Sequence, residues 1–137
     1  MSRISSTRHF RSRRALVLAT LISLGACGSN SLSPFQPQVA NPTDNFQLQA
    51  TNVVSVTSST TYSWVNTGTR ATVNHSTTTA AGTTLVVIKD AAGVTVYSKA
   101  LSPSLNEPTA TGQAGTWSIQ LTLVSYSGTL NFRAQKL

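Results

Sequence analysis

From Phe46 onward the sequence repeats with a period of two, and this property restricts the fold more than any other. The clearest run is Trp117, Ile119, Leu121 and Leu123, separated by Ser118, Gln120 and Thr122. Phe46, Leu48 and Ala50 alternate with Gln47, Gln49 and Thr51. Tyr62 and Trp64 alternate with Thr61 and Ser63, and Ala71 and Val73 with Thr72 and Asn74. Val94 and Val96 obey the same rule, and Leu130, Phe132 and Ala134 close the series. Successive side chains of a strand point to opposite faces, so alternation of this kind sets one face in a core and the other in water. Leu85-Val86-Val87-Ile88 is continuous instead, which suits a strand buried on both faces or a central one. No stretch after residue 27 carries an apolar repeat of helical spacing.

Turn chemistry separates the runs. Asn66-Thr67-Gly68-Thr69 links two of them, and Gly112-Gln113-Ala114-Gly115 precedes the tryptophan run. Asp90-Ala91-Ala92-Gly93 reads as a hairpin loop with Gly93 free to take positive φ, and Ser125-Tyr126-Ser127-Gly128 reads as a similar turn. Ser102–Gly112, with Pro103 and Pro108, reads as a loop crossing between sheets that holds at most a short edge strand. Short strands at intervals of roughly ten residues predict an all-β fold, a single antiparallel β-sandwich of about seven to nine strands over residues 46–137.

The segment from Gly82 to Phe132 adds a pattern: Ile88-Lys89-Asp90-Ala91-Ala92-Gly93, then Gly115-Thr116-Trp117-Ser118-Ile119-Gln120-Leu121, then Gly128-Thr129-Leu130-Asn131-Phe132. It resembles the small jelly-roll sandwiches of bacterial pre-peptidase C-terminal domains. The resemblance rests on residues that shape a fold, so it implies a jelly-roll-like architecture and no activity.

Ahead of the domain lie two segments of different character. Arg3, Arg8, Arg11, Arg13 and Arg14 precede an apolar stretch from Ala15 to Leu24. That stretch has about ten residues, half of what a spanning helix needs, so the pattern is that of a secretory signal peptide. It ends in Leu24-Gly25-Ala26-Cys27, and Cys27 is the only cysteine of the chain. The run resembles the lipobox of bacterial lipoproteins. The resemblance implies that Leu24, Gly25 and Ala26 are recognised by the signal peptidase, that residues 1–26 are removed, and that Cys27 is lipidated with a diacylglyceryl group, often with a third chain on its amine. One acyl chain anchors only marginally, whereas two or three hold stably. Gly28 stands where an aspartate favours inner-membrane retention, so the outer membrane is the expected location. Ser12-Arg13-Arg14-Ala15-Leu16-Val17 is similar to the twin-arginine export signal, which leaves the export route open. Residues 27–45, with Pro34, Pro37 and Pro42 and no periodicity, read as lipidated Cys27 and a flexible linker, reaching roughly 20–25 Å on average.

Removal of the leader changes the electrostatics. The whole chain carries a formal charge of +7. After residue 26 the cations are Arg70, Lys89, Lys99, Arg133 and Lys136, and the anions are Asp44, Asp90 and Glu107. No basic cluster is left, so no nucleic-acid partner is expected.

Few residues suggest chemistry. His75 is the one histidine after the leader, and with Asp90 and any of many serines it is the conceivable core of an enzyme. Asp90 is better explained as a turn residue bonding nearby backbone N–H groups, and His75 shares the phase of Ala71 and Val73 near a strand end, as a partly buried or rim histidine does. One histidine and scattered acids do not make a zinc site, so neither metal nor cofactor is expected. Phe46, Trp64, Trp117 and Phe132 fall on inward faces. Tyr97 is out of phase with Val94 and Val96, and Tyr126 sits in an expected turn, so these two are the candidate exposed aromatics for sugar binding. The expectation is a membrane-anchored cell-envelope lipoprotein without catalysis, acting by binding or structure. Its partners would be the bilayer, through acylated Cys27, and an envelope protein or glycan. A carbohydrate-binding module and an enzyme using His75 are the alternatives.

Overall fold

A computed structural model describes residues 35–137. Every regular element among them is a strand: β1 Gln38–Ala40, β2 Asn45–Asn66, β3 Ala71–His75, β4 Thr78–Lys89, β5 Thr95–Lys99, β6 Leu105–Pro108 and β7 Gly115–Lys136. They form one open antiparallel sheet with the order β1-β2-β7-β3-β6, and β4 joins β7 and β5 off that path. The expected all-β antiparallel, sandwich-like fold of seven strands is therefore present.

Its backbone is the pairing of β2 with β7, from Asn45↔Gln135 through Trp64↔Trp117 to Asn66↔Gly115. Each strand has 22 residues. Straight, such a strand would extend about 70 Å, whereas a domain of about 100 residues has a radius of gyration near 13 Å. The ribbon must bend, and its sequence supplies the means. Register shifts interrupt the pairing between Ala50 and Ser58. Asn52, Ser55 and Ser125 there take positive φ, and Gly128 has φ 147°. Bulges of this kind kink a strand and increase its twist. As a result the early half of β2 lies against its late half, with the Phe46 and Tyr62 rings 5.5 Å apart. β3 and β6 flank the Phe46–Phe132 half of the ribbon, and β4 and β5 flank the Trp64–Trp117 half.

The core is largely what the alternation predicts; Val94, expected inward with Val96, precedes β5 and is exposed. Phe46, Leu48, Trp64, Trp117, Ile119, Leu123, Leu130 and Phe132 are buried. Trp64 meets Trp117 edge to face at 5.7 Å, and Phe46 meets Phe132 at 6.0 Å, the arrangement that aromatic quadrupoles favour. The β2–β3 turn and the Asp90–Gly93 hairpin fall where turn residues place them, with Gly93 at φ 81°.

Four expectations are corrected. The linker does not run free to residue 45: β1 pairs with β2 through Gln38↔Gln49 and Ala40↔Gln47, and the Asp44 backbone N–H donates to Val65 O at 2.8 Å. A three-residue edge strand has too few residues to show a period. Ser125–Gly128 is not a turn but a bulge inside β7, which continues to Lys136. Leu85 is 42 % exposed, because β4 is central in its hydrogen bonding yet covered on one face only. Tyr97 is buried rather than exposed. The β4–β5 register passes from Ile88↔Tyr97 to Lys89↔Thr95, so Val96 is an extra residue on β5. The bulge shifts the phase and turns Val96 and Tyr97 inward together.

Candidate functional site

Inward residues of the β1-β2-β7-β3-β6 layer are apolar apart from His75 and Glu107, so the residues between them form its outer face. Cross-strand register assembles that face row by row. Gln38, Gln49 and Asn131 make one row. Ala40, Gln47, Arg133, Asn74 and Asn106 make the next, spanning all five strands. Asn45, Gln135 and Thr72 make a third. At about 4.8 Å between strands, the middle row is about 19 Å wide. The result is an array of carboxamides around one guanidinium, with no carboxylate in any row.

Among the described residues, the side chains of this face make one hydrogen bond to each other, Arg133 Nη2 donating to Gln47 Oε1 at 3.4 Å. The other amides keep their donors and acceptors for solvent or a ligand, apart from Asn45, whose Oδ1 is occluded without a partner. The outer face of the other half of the ribbon differs. Its Ser59 and Thr122 hydroxyls lie 3.2 Å apart, and Gln120 Nε2 donates to Ser59 Oγ at 3.2 Å, so polar groups there satisfy one another. At the β1 margin of the amide face, Gln38, Val39, Ala40, Gln47 and Gln49 line an open cleft of about 200 Å³.

The carboxylates of the described domain are engaged elsewhere. Asp44 accepts from Lys136 Nζ at 2.8 Å and from the Thr67 N–H at 2.7 Å, which hold its carboxyl down at about 2. Asp90 accepts from the backbone N–H groups of Gln113, Val94 and Ala92 at 2.7, 2.8 and 3.0 Å, and the Gln113 contact does most to hold its carboxyl below its ordinary value. This is the expected turn role, extended to pin the loop before β7. Glu107 reaches from β6 to Lys99 of β5 at 2.8 Å, and that ion pair lowers its pKa.

The two candidate aromatics do not form a platform. Tyr126 is fully buried, its hydroxyl 3.1 Å from both Thr78 O and Thr129 O. Tyr97 is buried, and that burial raises its phenol pKa, with Glu107 adding to the effect. His75 is more deeply buried than a rim position implies, at 1 % exposure, and both ring nitrogens lack a hydrogen-bond partner among the described residues. Desolvation lowers its pKa. It sits opposite Phe132 and Leu105, at the far end of β3 from Ala71, while Asp90 lies against Gly112 and Gln113, which follow β6 on the Ala71 side. The structure does not bring His75 and Asp90 together. Leu24, Gly25, Ala26 and Cys27 lie outside the described residues.

The amide face was missed in the sequence, although a signal for it was there. Gln47, Gln49, Asn74 and Asn131 each occupy the solvent phase beside a core residue. Their convergence depends on which strands pair, and alternation does not state that. No family model, curated protein or solved structure matches the chain.

Proposed function

We propose that this chain is a lipid-anchored protein of the cell envelope whose β-domain acts by binding, without catalysis, and that the amide face receives a polyhydroxylated ligand, a glycan. The observation that carries the reading is the array of unengaged carboxamides around Arg133 on a rigid five-stranded layer. A sugar hydroxyl both donates and accepts, and a primary amide offers an acceptor oxygen and two donor hydrogens in one plane. Neutral amides also cost less to desolvate than charged groups. Strands hold their side chains at fixed spacings, so the partners are preorganised for an extended chain.

Affinity at one site is expected to be modest. Each neutral hydrogen bond contributes about 0.5–1.5 kcal/mol net, so three or four correspond to a dissociation constant on the order of millimolar. A lipid anchor supplies what a single site lacks. Many copies on one membrane facing a repeating polymer bind with avidity far above the single-site affinity. Lipidation of Cys27 follows from the lipobox-like run, and Gly28 favours the outer membrane. Since β1 begins at Gln38, about ten residues separate it from Cys27.

The experiment has two arms. Cys27→Ser is expected to move the protein from the membrane fraction to the soluble fraction, and unchanged partitioning contradicts the anchor. Co-sedimentation of the lipidated protein with insoluble envelope polysaccharide is expected to fall at least tenfold in the Gln47→Ala, Gln49→Ala, Asn131→Ala triple variant at unchanged melting temperature. Equal retention of the two proteins overturns the binding face.

A further inference from the structure

Arg133 is singular on that face. Lys99 and Lys136 are paired with Glu107 and Asp44. Arg70 Nε donates to Thr109 O at 3.3 Å. Lys89 lies opposite Ser118, in the other half of the ribbon. Arg133 is exposed, has no carboxylate partner among the described residues, and meets only Gln47 at 3.4 Å. Its neighbours across the ladder, Gln47 and Asn74, and those two positions along its own strand, Asn131 and Gln135, are all amides. A guanidinium carries five N–H donors in a planar fork that fits a two-oxygen anion, and a charge-assisted pair of this kind is about twice as strong as a neutral one.

We infer that the glycan taken by this face bears carboxylate groups, and that Arg133 holds one of them while the flanking amides hold the hydroxyls of the neighbouring sugars. The inference rests on the glycan-binding reading of the face and deepens it. One cation across a layer about 19 Å wide holds one carboxylate and leaves the rest of the contact to neutral hydrogen bonds. Nucleic acid needs several cations along its backbone, and anionic lipid headgroups are met by clusters of four to eight Lys or Arg. Neither cluster exists on this face. An uncharged glycan would leave the guanidinium without a counter-charge in the middle of the contact, where desolvating it costs most.

The test uses the lipidated protein in detergent micelles and two probes of equal length, oligogalacturonate and its methyl ester. They present the same hydroxyls, and only the first is charged. Replacing a neutral contact by a charge-assisted one predicts that the free acid binds about tenfold tighter, and that added salt narrows the gap. Arg133→Gln is expected to remove the preference, with acid and ester binding alike. Arg133→Lys is expected to keep only part of it, because a point charge lacks the fork. Equal binding of acid and ester by the wild-type protein overturns the inference while leaving a glycan-binding face in place. Failure of both probes to bind a protein of native melting behaviour overturns the glycan reading and this inference with it. Tighter binding to vesicles of phosphatidylglycerol than to oligogalacturonate, or to a phosphorylated glycan than to a carboxylated one, also overturns it.

Discussion

Gly128 is the point where the account of the bent ribbon is most exposed to test. It lies in β7, opposite Val53 on one side and Thr79 on the other, with φ 147°. A Cβ at this position would overlap the carbonyl oxygen of Thr78 and stand 2.8 Å from Tyr126 Oη and 3.1 Å from the Thr78 carbonyl carbon. The obstacle is backbone, so no rotamer change relieves it. In Gly128→Ala the start of β4 must move off β7, and the Tyr126–Thr78 hydrogen bond goes with it. The sparsely populated backbone conformation costs about 1–3 kcal/mol for a residue with a side chain, and the overlap about 1–3 kcal/mol more. The two add to roughly 2–6 kcal/mol, a large share of the 5–15 kcal/mol available to a domain, and correspond to a fall in Tm of roughly 10–45 °C for a domain of this size. Gly93→Ala is the control: φ is 81° there, but nothing lies within 4 Å of the added carbon, so only the conformational cost of about 1–2 kcal/mol remains. Urea titrations followed by the fluorescence of Trp64 and Trp117 measure both. If the two variants unfold within about 1 kcal/mol of each other, close packing of β4 on the Gly128 bulge is not what holds the bend.

Two further outcomes follow from groups inside the core. Burial holds the His75 pKa below its ordinary 6.5, so the unfolded chain binds the proton more readily than the folded one. Stability contributed by neutral His75 is then full above about pH 6.5 and declines as pH falls below it. Denaturant titrations between pH 7 and pH 5 should show that decline, and His75→Gln should flatten it. The carboxylates, lowered from 3.8 or 4.5, add only a small slope of the same sign near pH 5, which His75→Gln leaves in place. A wild-type stability that is level across this interval would contradict burial of the neutral ring. Tyr126→Phe removes the hydroxyl shared between Thr78 O and Thr129 O and is expected to cost about 1 kcal/mol, measured by thermal melting. No change in Tm would mean that the hydroxyl lacks these partners.

Much of the fold was legible in the residues, and what was not has a common cause. Alternation located the inward faces of Phe46, Trp64, Trp117 and Phe132 because each stands in a stretch of β2 or β7 away from the bulges, where burial and period agree. Asp90 was legible as a turn residue from its Asp-x-x-Gly context. Tyr97 and Tyr126 were misplaced because of bulges: the one at Val96 in β5 changed the phase of Tyr97, and the one at Val124 and Ser125 in β7 stands where a turn was expected beside Tyr126. A bulge adds one residue without a compositional mark strong enough to read, and every side chain beyond it changes face. β1 escaped because its strand character comes from docking on β2 rather than from its own three residues. The amide face was hidden for a different reason. Gln47 and Asn74 are 27 positions apart in the chain, and only the pairing of β2 with β7 and of β7 with β3 sets them on either side of Arg133. Sequence phase identifies which residues face water; strand order decides which of them meet.

Ligand binding on the amide face can be read residue by residue from nuclear magnetic resonance of the 15N-labelled protein titrated with oligogalacturonate, following the side-chain NH2 signals of asparagine and glutamine. The account predicts saturable shifts at Gln47, Gln49, Asn74 and Asn131 and at Arg133 Nε–H, with Gln120 in the opposite outer face unmoved. Shifts centred on Gln120 and the Ser59–Ser63 backbone, or none at ligand concentrations on the order of ten millimolar, would contradict it.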